Sequence, residues 1–220
     1  MFHDRLDAAR QLAVALAHHL GHHPLVLAIP RGAVPMGAHL ARALDGELDL
    51  VLVRKLPAPF SDEFAVGAVD ESGWVYLAPH AAAAGADADY LARVRREQLA
   101  EIARRRDAYT PGRPPLPVRG RTVIVVDDGL ATGATMLAAL HAVRQRAPAR
   151  LVCAVPVGSR DSVARVRPAA DELVCLYTPA DFEAVGQYYA RFPQVTDAEV
   201  VNALRGAAAG TGGGPGASAP

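Results

Sequence analysis

The chain has 220 residues, ample for one domain with a sizeable core. Its 23 basic and 23 acidic residues balance, which argues against a nucleic-acid or membrane-surface footprint. No apolar run approaches the length of a membrane span, and the N-terminal stretch, with Asp4 and Asp7 and no continuous apolar core, is a poor signal peptide.

In chain order, Leu6, Ala9, Leu12, Leu16 and Leu20 fall near helical spacing, so Arg5 to Leu20 reads as an amphipathic helix stopped by Gly21 and Pro24. Pro24 to Ile29 (PLVLAI) is a short continuous apolar run, the signature of a strand buried on both faces. The turn PRGAVP leads to a helix around Met36 to Leu44, and LDLVLVRK (Leu48 to Lys55) is a second such strand. LPAPFSDEF (Leu56 to Phe64) reads as a loop, with a hairpin after it formed by Phe64–Val69 and Trp74–Leu77 around DESG. A long charged helix runs from about Asp87 to Tyr109, then a proline-rich connector, TPGRPPLPVRG.

TVIVVDD, a helix, LVCAVPV, a helix near Ser159–Val166, and ELVCLY follow as a β-α-β-α-β succession. Strands alternating with helices predict an α/β fold, a parallel twisted sheet flanked by helices. Cys153 and Cys175 sit inside two of those apolar runs and read as small buried hydrophobes of a cytoplasmic protein. Thr196 and Glu199 form a capping box for a last helix ending near Arg205, and 206–220 reads as a disordered Gly/Ala-rich tail. Residues 1–205 are thus expected to form a single domain.

The chemistry concentrates at VIVVDDGLATGATM (Val123 to Met136). In an open parallel sheet, ligands bind beyond the carboxyl ends of the strands, which places Asp127 and Asp128 at that rim. The glycines of GLATGAT permit a tight turn, Thr132 and Thr135 add hydroxyls, and the start of a helix favours an anion. Two carboxylates would repel a bare phosphate, so the pair fits a ligand that also carries hydroxyl donors, or one bridged by a divalent cation. A sugar phosphate offers both; helix capping by the acids is the plainer alternative.

Four apolar residues, two acids and a Thr-Gly-Ala-Thr turn resemble the phosphoribosyl pyrophosphate motif of type I phosphoribosyltransferases. The likeness spans about residues 20–200 and implies that family's fold, with a small hood subdomain from about 56–80 and 178–195. It implies that Asp127 and Asp128 bind the ribose hydroxyls, and that Ala131, Thr132, Gly133, Ala134 and Thr135 wrap the sugar phosphate. Mg²⁺ would be held with the donor, meeting Asp127 and Asp128 directly or through water. Pro30-Arg31-Gly32-Ala33 looks like the family's pyrophosphate loop, with a cis peptide expected at Arg31–Gly32. Arg54 and Lys55, taken as the end of the second strand, would neutralise pyrophosphate, with Lys55 also serving catalysis. Leu56 to Phe64 falls where the family keeps a mobile loop, in which Asp62 or Glu63 could take the acceptor's proton.

Asp181-Phe182 followed by Ala184-Val185-Gly186 resembles the base-binding segment of hypoxanthine-guanine enzymes, making Phe182 the expected wall for the acceptor. Those enzymes usually carry an aspartate where Ala131 stands, whereas the Ala-Thr-Gly of the motif resembles adenine enzymes, so the acceptor stays open. The implied partners are phosphoribosyl pyrophosphate and a small nitrogenous acceptor, with a homodimer as the assembly. A regulator that senses the donor without turnover is the rival. His18, His19, His22 and His23 read as a solvated helix end, since no carboxylate or cysteine stands beside them in sequence.

Overall fold

A computed structural model describes residues 1–210, with side chains at all positions but 63, 209 and 210. Asp4 caps α1 (Arg5–Ala15) by accepting the Asp7 N–H, and a 3₁₀ turn, Ala17–His19, follows. The chain continues through β1 (Leu25–Ala28), α2 (Val34–Ala43) and β2 (Glu47–Leu50). Then come β3 (Val53–Ala58), β4 (Ser61–Asp70), β5 (Val75–Leu77) and the long α3 (Ala88–Tyr109). The second half runs β6 (Thr122–Val126), α4 (Ala134–Gln145), β7 (Arg150–Val157), α5 (Arg160–Val166), β8 (Glu172–Tyr177) and α6 (Asp197–Gly210).

Five strands form one parallel sheet in the order β2-β1-β6-β7-β8. The order reverses between β1 and β6, so a crevice opens beyond their carboxyl ends. Strand residues alternate faces, and both faces are buried. Val26, Ala28, Ile124, Val126, Val152 and Ala154 belong to the core beneath α1, α2 and α6. Leu25, Leu27, Val123, Val125, Leu151 and Cys153 belong to the core beneath α4 and α5. This is why those runs read as continuously apolar. Gly37 lets α2 lie close on the sheet, since a Cβ there would come 2.9 Å from the Ala28 Cβ.

Three expectations need correcting. Leu48 to Lys55 is not one strand: β2 ends at Leu50 and β3 joins an antiparallel sheet in the order β3-β4-β5. The last rung to β1 is the Val51 N–H on the Ala28 carbonyl at 3.2 Å, and side chains take the Leu50 peptide groups, Arg106 donating to its carbonyl at 3.2 Å and Asp49 accepting its N–H at 2.8 Å. Leu56 to Phe64 is not a loop: Leu56 pairs with Gly67 and Ala58 with Ser61, so the segment is the close of the β3–β4 hairpin. The last helix passes Arg205 and runs to Gly210, while the rest of the expected tail, 211–220, lies outside the described residues. Thr196 and Glu199 do form the reciprocal cap, at 2.7 Å and 3.2 Å. Cys153 and Cys175 are free thiols. No helix among the described residues is long and apolar enough to cross a membrane.

Candidate active site

β6 delivers Asp127 and Asp128 at the crevice. The Asp127 N–H continues the ladder to the Ala154 carbonyl at 3.3 Å, and the Asp128 N–H folds back onto Asp127 Oδ1 at 2.8 Å. Burial, and then the neighbouring Asp128, push the Asp127 carboxyl well above the usual carboxylate range. Burial also raises Asp128, although Arg5 opposes it. Among the described residues, Asp127 Oδ2 and Asp128 Oδ1 accept no hydrogen bond. Two buried acids held above their ordinary range, each with an oxygen to spare, are poised for a donor or a cation.

The turn behind them is oriented by α5. Ser159 caps that helix; the Ser162 hydroxyl donates to the Ala131 carbonyl, and Arg165 Nη1 donates to the Thr132 carbonyl at 2.8 Å. Leu130 pairs with the end of β7 through the Val157 carbonyl at 2.9 Å. With these carbonyls drawn away, the N–H groups of Ala131, Thr132, Gly133 and Thr135 carry no hydrogen bond among the described residues. Gly133, at φ +79°, takes the left-handed conformation that starts α4 without a Cβ penalty. Free amides and the helix dipole face one way, into a cleft of ≈ 180 Å³. Lys55, both acids, residues 129–133, Thr135, Met136 and Val185 line it.

Two residues clasp Asp128 from distant parts of the chain. Arg5 reaches Asp128 Oδ2 with Nε and Nη2, both at 2.9 Å, while its Nη1 donates to the Pro193 carbonyl at 2.6 Å. Its guanidinium also lies over the Phe192 ring, 3.7 Å from the centroid. The buried Tyr189 hydroxyl donates to the Asp128 carbonyl at 2.7 Å. Gly32 is required here, because a Cβ at that position would overlap Asp128 Oδ2.

The remaining expected residues scatter. The cis bond is Pro30–Arg31, one peptide before the expected Arg31–Gly32. Arg31 faces Asp197 of α6 at 3.6 Å and does not line the cleft. Arg54 and Lys55 are neighbours on β3 and so point to opposite faces. Lys55 lines the cleft, whereas Arg54 donates to Gln98 of α3 at 2.8 Å, its pKa lowered by burial and then by Arg105. Glu63 lies on β4, and its side chain is outside the described residues. Phe182 stacks on Tyr188, ring centroids 5.6 Å apart, and the hood residue at the cleft is Val185. Val185 fills the space over Gly129, where a Cβ would sit 2.6 Å from its Cγ1.

Arg5, Tyr189, Ser162 and Arg165 carried no sequence signal pointing to this site, whereas Val185 lies in the segment that resembles a base-binding one. Only the SxxS spacing of Ser159 and Ser162 marked a helix start beside the strand end.

A family profile described as the phosphoribosyl transferase domain matches residues 2–191. The chain belongs to the phosphoribosyl transferase family. Two Mycobacterium tuberculosis proteins, of strains CDC 1551 / Oshkosh and ATCC 25618 / H37Rv and named as candidate phosphoribosyl transferases, are each 46% identical over 207 residues. That alignment covers 91% of this chain and 46% of each relative, so the chain spans about half the length of the curated relatives it matches. The crystal structure of TT1426 from Thermus thermophilus is 47% identical, with a TM-score of 0.79 over 94% of this chain and 98% of that one. A Neisseria gonorrhoeae protein solved with bound ppGpp is 15% identical at a TM-score of 0.51, over 94% of this chain and 96% of that one, a likeness of fold alone. The parallel sheet flanked by helices is thus the type I phosphoribosyltransferase fold.

The acid pair of this phosphoribosyltransferase-family chain also fits Mg²⁺. Two carboxylate oxygens without partners, at a site where burial raises both acids, form a hard-oxygen donor set.

Proposed function

We propose that this chain transfers ribose 5-phosphate from phosphoribosyl pyrophosphate to a nitrogen of a purine-like acceptor, releasing pyrophosphate. The observation that carries the reading is the placing, in one cleft, of two carboxylates with free oxygens beside a turn with free amides. The ribose hydroxyls donate to Asp127 and Asp128, and the 5-phosphate accepts from the amides of 131–135 and from the hydroxyls of Thr132 and Thr135. The acceptor nitrogen forms its bond to the anomeric carbon as the carbon–oxygen bond to pyrophosphate breaks, the electron pair leaving on pyrophosphate. The acid pair stabilises positive charge that builds on the sugar. Lys55 and the Arg31–Gly32 loop stabilise the leaving group. Asp127 and Asp128 would hold Mg²⁺, directly or through water, and the ion would supply further charge neutralisation when bound.

Glu63 is the residue assigned the acceptor's proton, and Val185 with Phe182 behind it forms the acceptor wall. The step is the chemistry of nucleotide salvage in the cytoplasm, by an enzyme assembled as a homodimer.

One observation favours a second reading. Among the described residues that line the cleft, only Lys55, Asp127 and Asp128 are titratable, and position 131 is Ala. A cleft whose described titratable residues are all committed to the donor suits a protein that senses phosphoribosyl pyrophosphate without turning it over. The deciding experiment incubates the chain with phosphoribosyl pyrophosphate, Mg²⁺ and a panel of purines, pyrimidines and amines. Pyrophosphate release is followed alongside calorimetric binding of the donor. Release with one acceptor supports transfer; donor binding without release from any supports the sensor; no donor binding overturns both.

A further inference from the structure

The rim of the sheet opposite the cleft holds a cluster that phosphoribosyl transfer does not use. His18 and His19 close the 3₁₀ turn after α1, and Glu172 opens the edge strand β8. His18 Nε2 lies 2.9 Å from Glu172 Oε1, and His19 Nε2 lies 3.1 Å from Glu172 Oε2. One ligand atom from each of the three residues falls within 4.8 Å of the others. Sequence reading set a metal aside at these histidines for want of a carboxylate, and the fold supplies one from more than 150 residues away.

We propose that His18, His19 and Glu172 bind a divalent ion of the zinc class, which fastens the end of α1 to the edge strand β8. Two imidazole nitrogens and both carboxylate oxygens converge, which provides the four donors a structural zinc ion takes. Imidazole donors select zinc, nickel or copper over magnesium, so this site and the acid pair at the cleft call for different ions. His19 is only 5% exposed, so its ring is held in place against Glu172. Arg150 Nη2 donates to Glu172 Oε2 at 2.9 Å, an outer partner of the kind that orients a ligating carboxylate.

Its position indicates what the ion does. The cluster sits at the amino ends of the strands, whereas the cleft lies beyond their carboxyl ends. The helix it anchors starts with Arg5, the residue that grips Asp128. The ion therefore fixes the far end of the helix that reaches into the cleft.

The test uses the full chain after chelator treatment, titrated with zinc chloride by calorimetry and melted with and without zinc. The expected result is one ion per chain, a higher melting temperature, and no competition from excess Mg²⁺. His18 is exposed, so His18→Ala should leave the fold intact yet weaken zinc binding at least about tenfold. Glu172→Gln should remove the zinc-dependent rise in melting temperature. Cobalt(II) should give a tetrahedral visible spectrum with the wild type and none with His18→Ala. No zinc binding by the wild type, or zinc binding unchanged in both variants, overturns the proposal; the latter would move the ion to His22 or His23.

Discussion

β2 and β6 flank β1 in the same sheet, and each presents an acid near its carboxyl end, Asp49 buried and Asp127 half-buried, yet the two acids live in opposite surroundings. Asp49, 1% exposed, is fully partnered: Oδ1 takes the Leu50 N–H at 2.8 Å and Oδ2 takes the Leu116 N–H at 2.7 Å. Arg113 and Arg106 stand beyond it at 3.4 Å and 3.6 Å. Asp127 accepts one backbone N–H and faces a second carboxylate. A buried acid whose partners are complete belongs to the architecture. One left short of partners is held ready for something that arrives later.

The comparison can be broken most severely at Asp49. Asp49→Ala leaves the Leu50 and Leu116 N–H groups without their acceptor and Arg113 without its carboxylate, while Arg106 keeps Glu71, and should cost about 2–4 kcal/mol of unfolding free energy, read from urea melts. A loss under about 1 kcal/mol would show that Asp49 is not the anchor described. On the β6 side the loss should fall on binding. Asp127→Asn with Asp128→Asn should weaken phosphoribosyl pyrophosphate at least about 100-fold by calorimetry, as two hydrogen bonds to charged acceptors are removed. Unchanged affinity would sink the sugar-phosphate assignment.

Asp127→Asn alone should do the reverse of Asp49→Ala and raise stability at neutral pH by about 1–2 kcal/mol. The folded state raises the pKa of Asp127, so its contribution is complete below the unfolded value of about 3.9 and is lost as pH rises through the folded one. The gain from Asn should therefore appear at neutral pH and vanish in acid; equal gains at both would remove the electrostatic account. The smallest effect concerns the turn. Ser162→Ala should cost about 0.5–1.5 kcal/mol of stability and loosen the amides of 131–133, seen as faster hydrogen exchange there.

The two strand ends also show where sequence reading stops. The apolar strand runs, the acid pair and the Thr-Gly-Ala-Thr turn are local patterns, and each could be placed on the sheet rim from spacing alone. The break after Leu50 could not, because the residues beyond it pair with β4, and Arg106 and Leu116 hold Leu50 and Asp49 from over 50 positions away. Arg54 and Lys55 looked like one basic strand end; the start of a new strand at Val53 sends Arg54 to α3 and leaves Lys55 at the cleft. Phe182 was the more conspicuous candidate in the hood, yet stacking on Tyr188 occupies that ring. Val185, three residues on in the same segment, is the one that lines the cleft, over Gly129.

The clasp on Asp128 bears on how the chain comes off the ribosome. Phe2 donates to the Tyr188 carbonyl at 2.7 Å and accepts from the Ala190 N–H at 2.9 Å, while Arg5 binds both Asp128 and Pro193. Residues 2 and 5 thus find their partners more than 120 positions further along the chain, and such long-range contacts form late. A nascent chain paused near residue 180 would already hold the acid pair and its turn, with Arg5 and Tyr189 not yet joined over them. The cleft is finished only when segments nearly 190 residues apart have met.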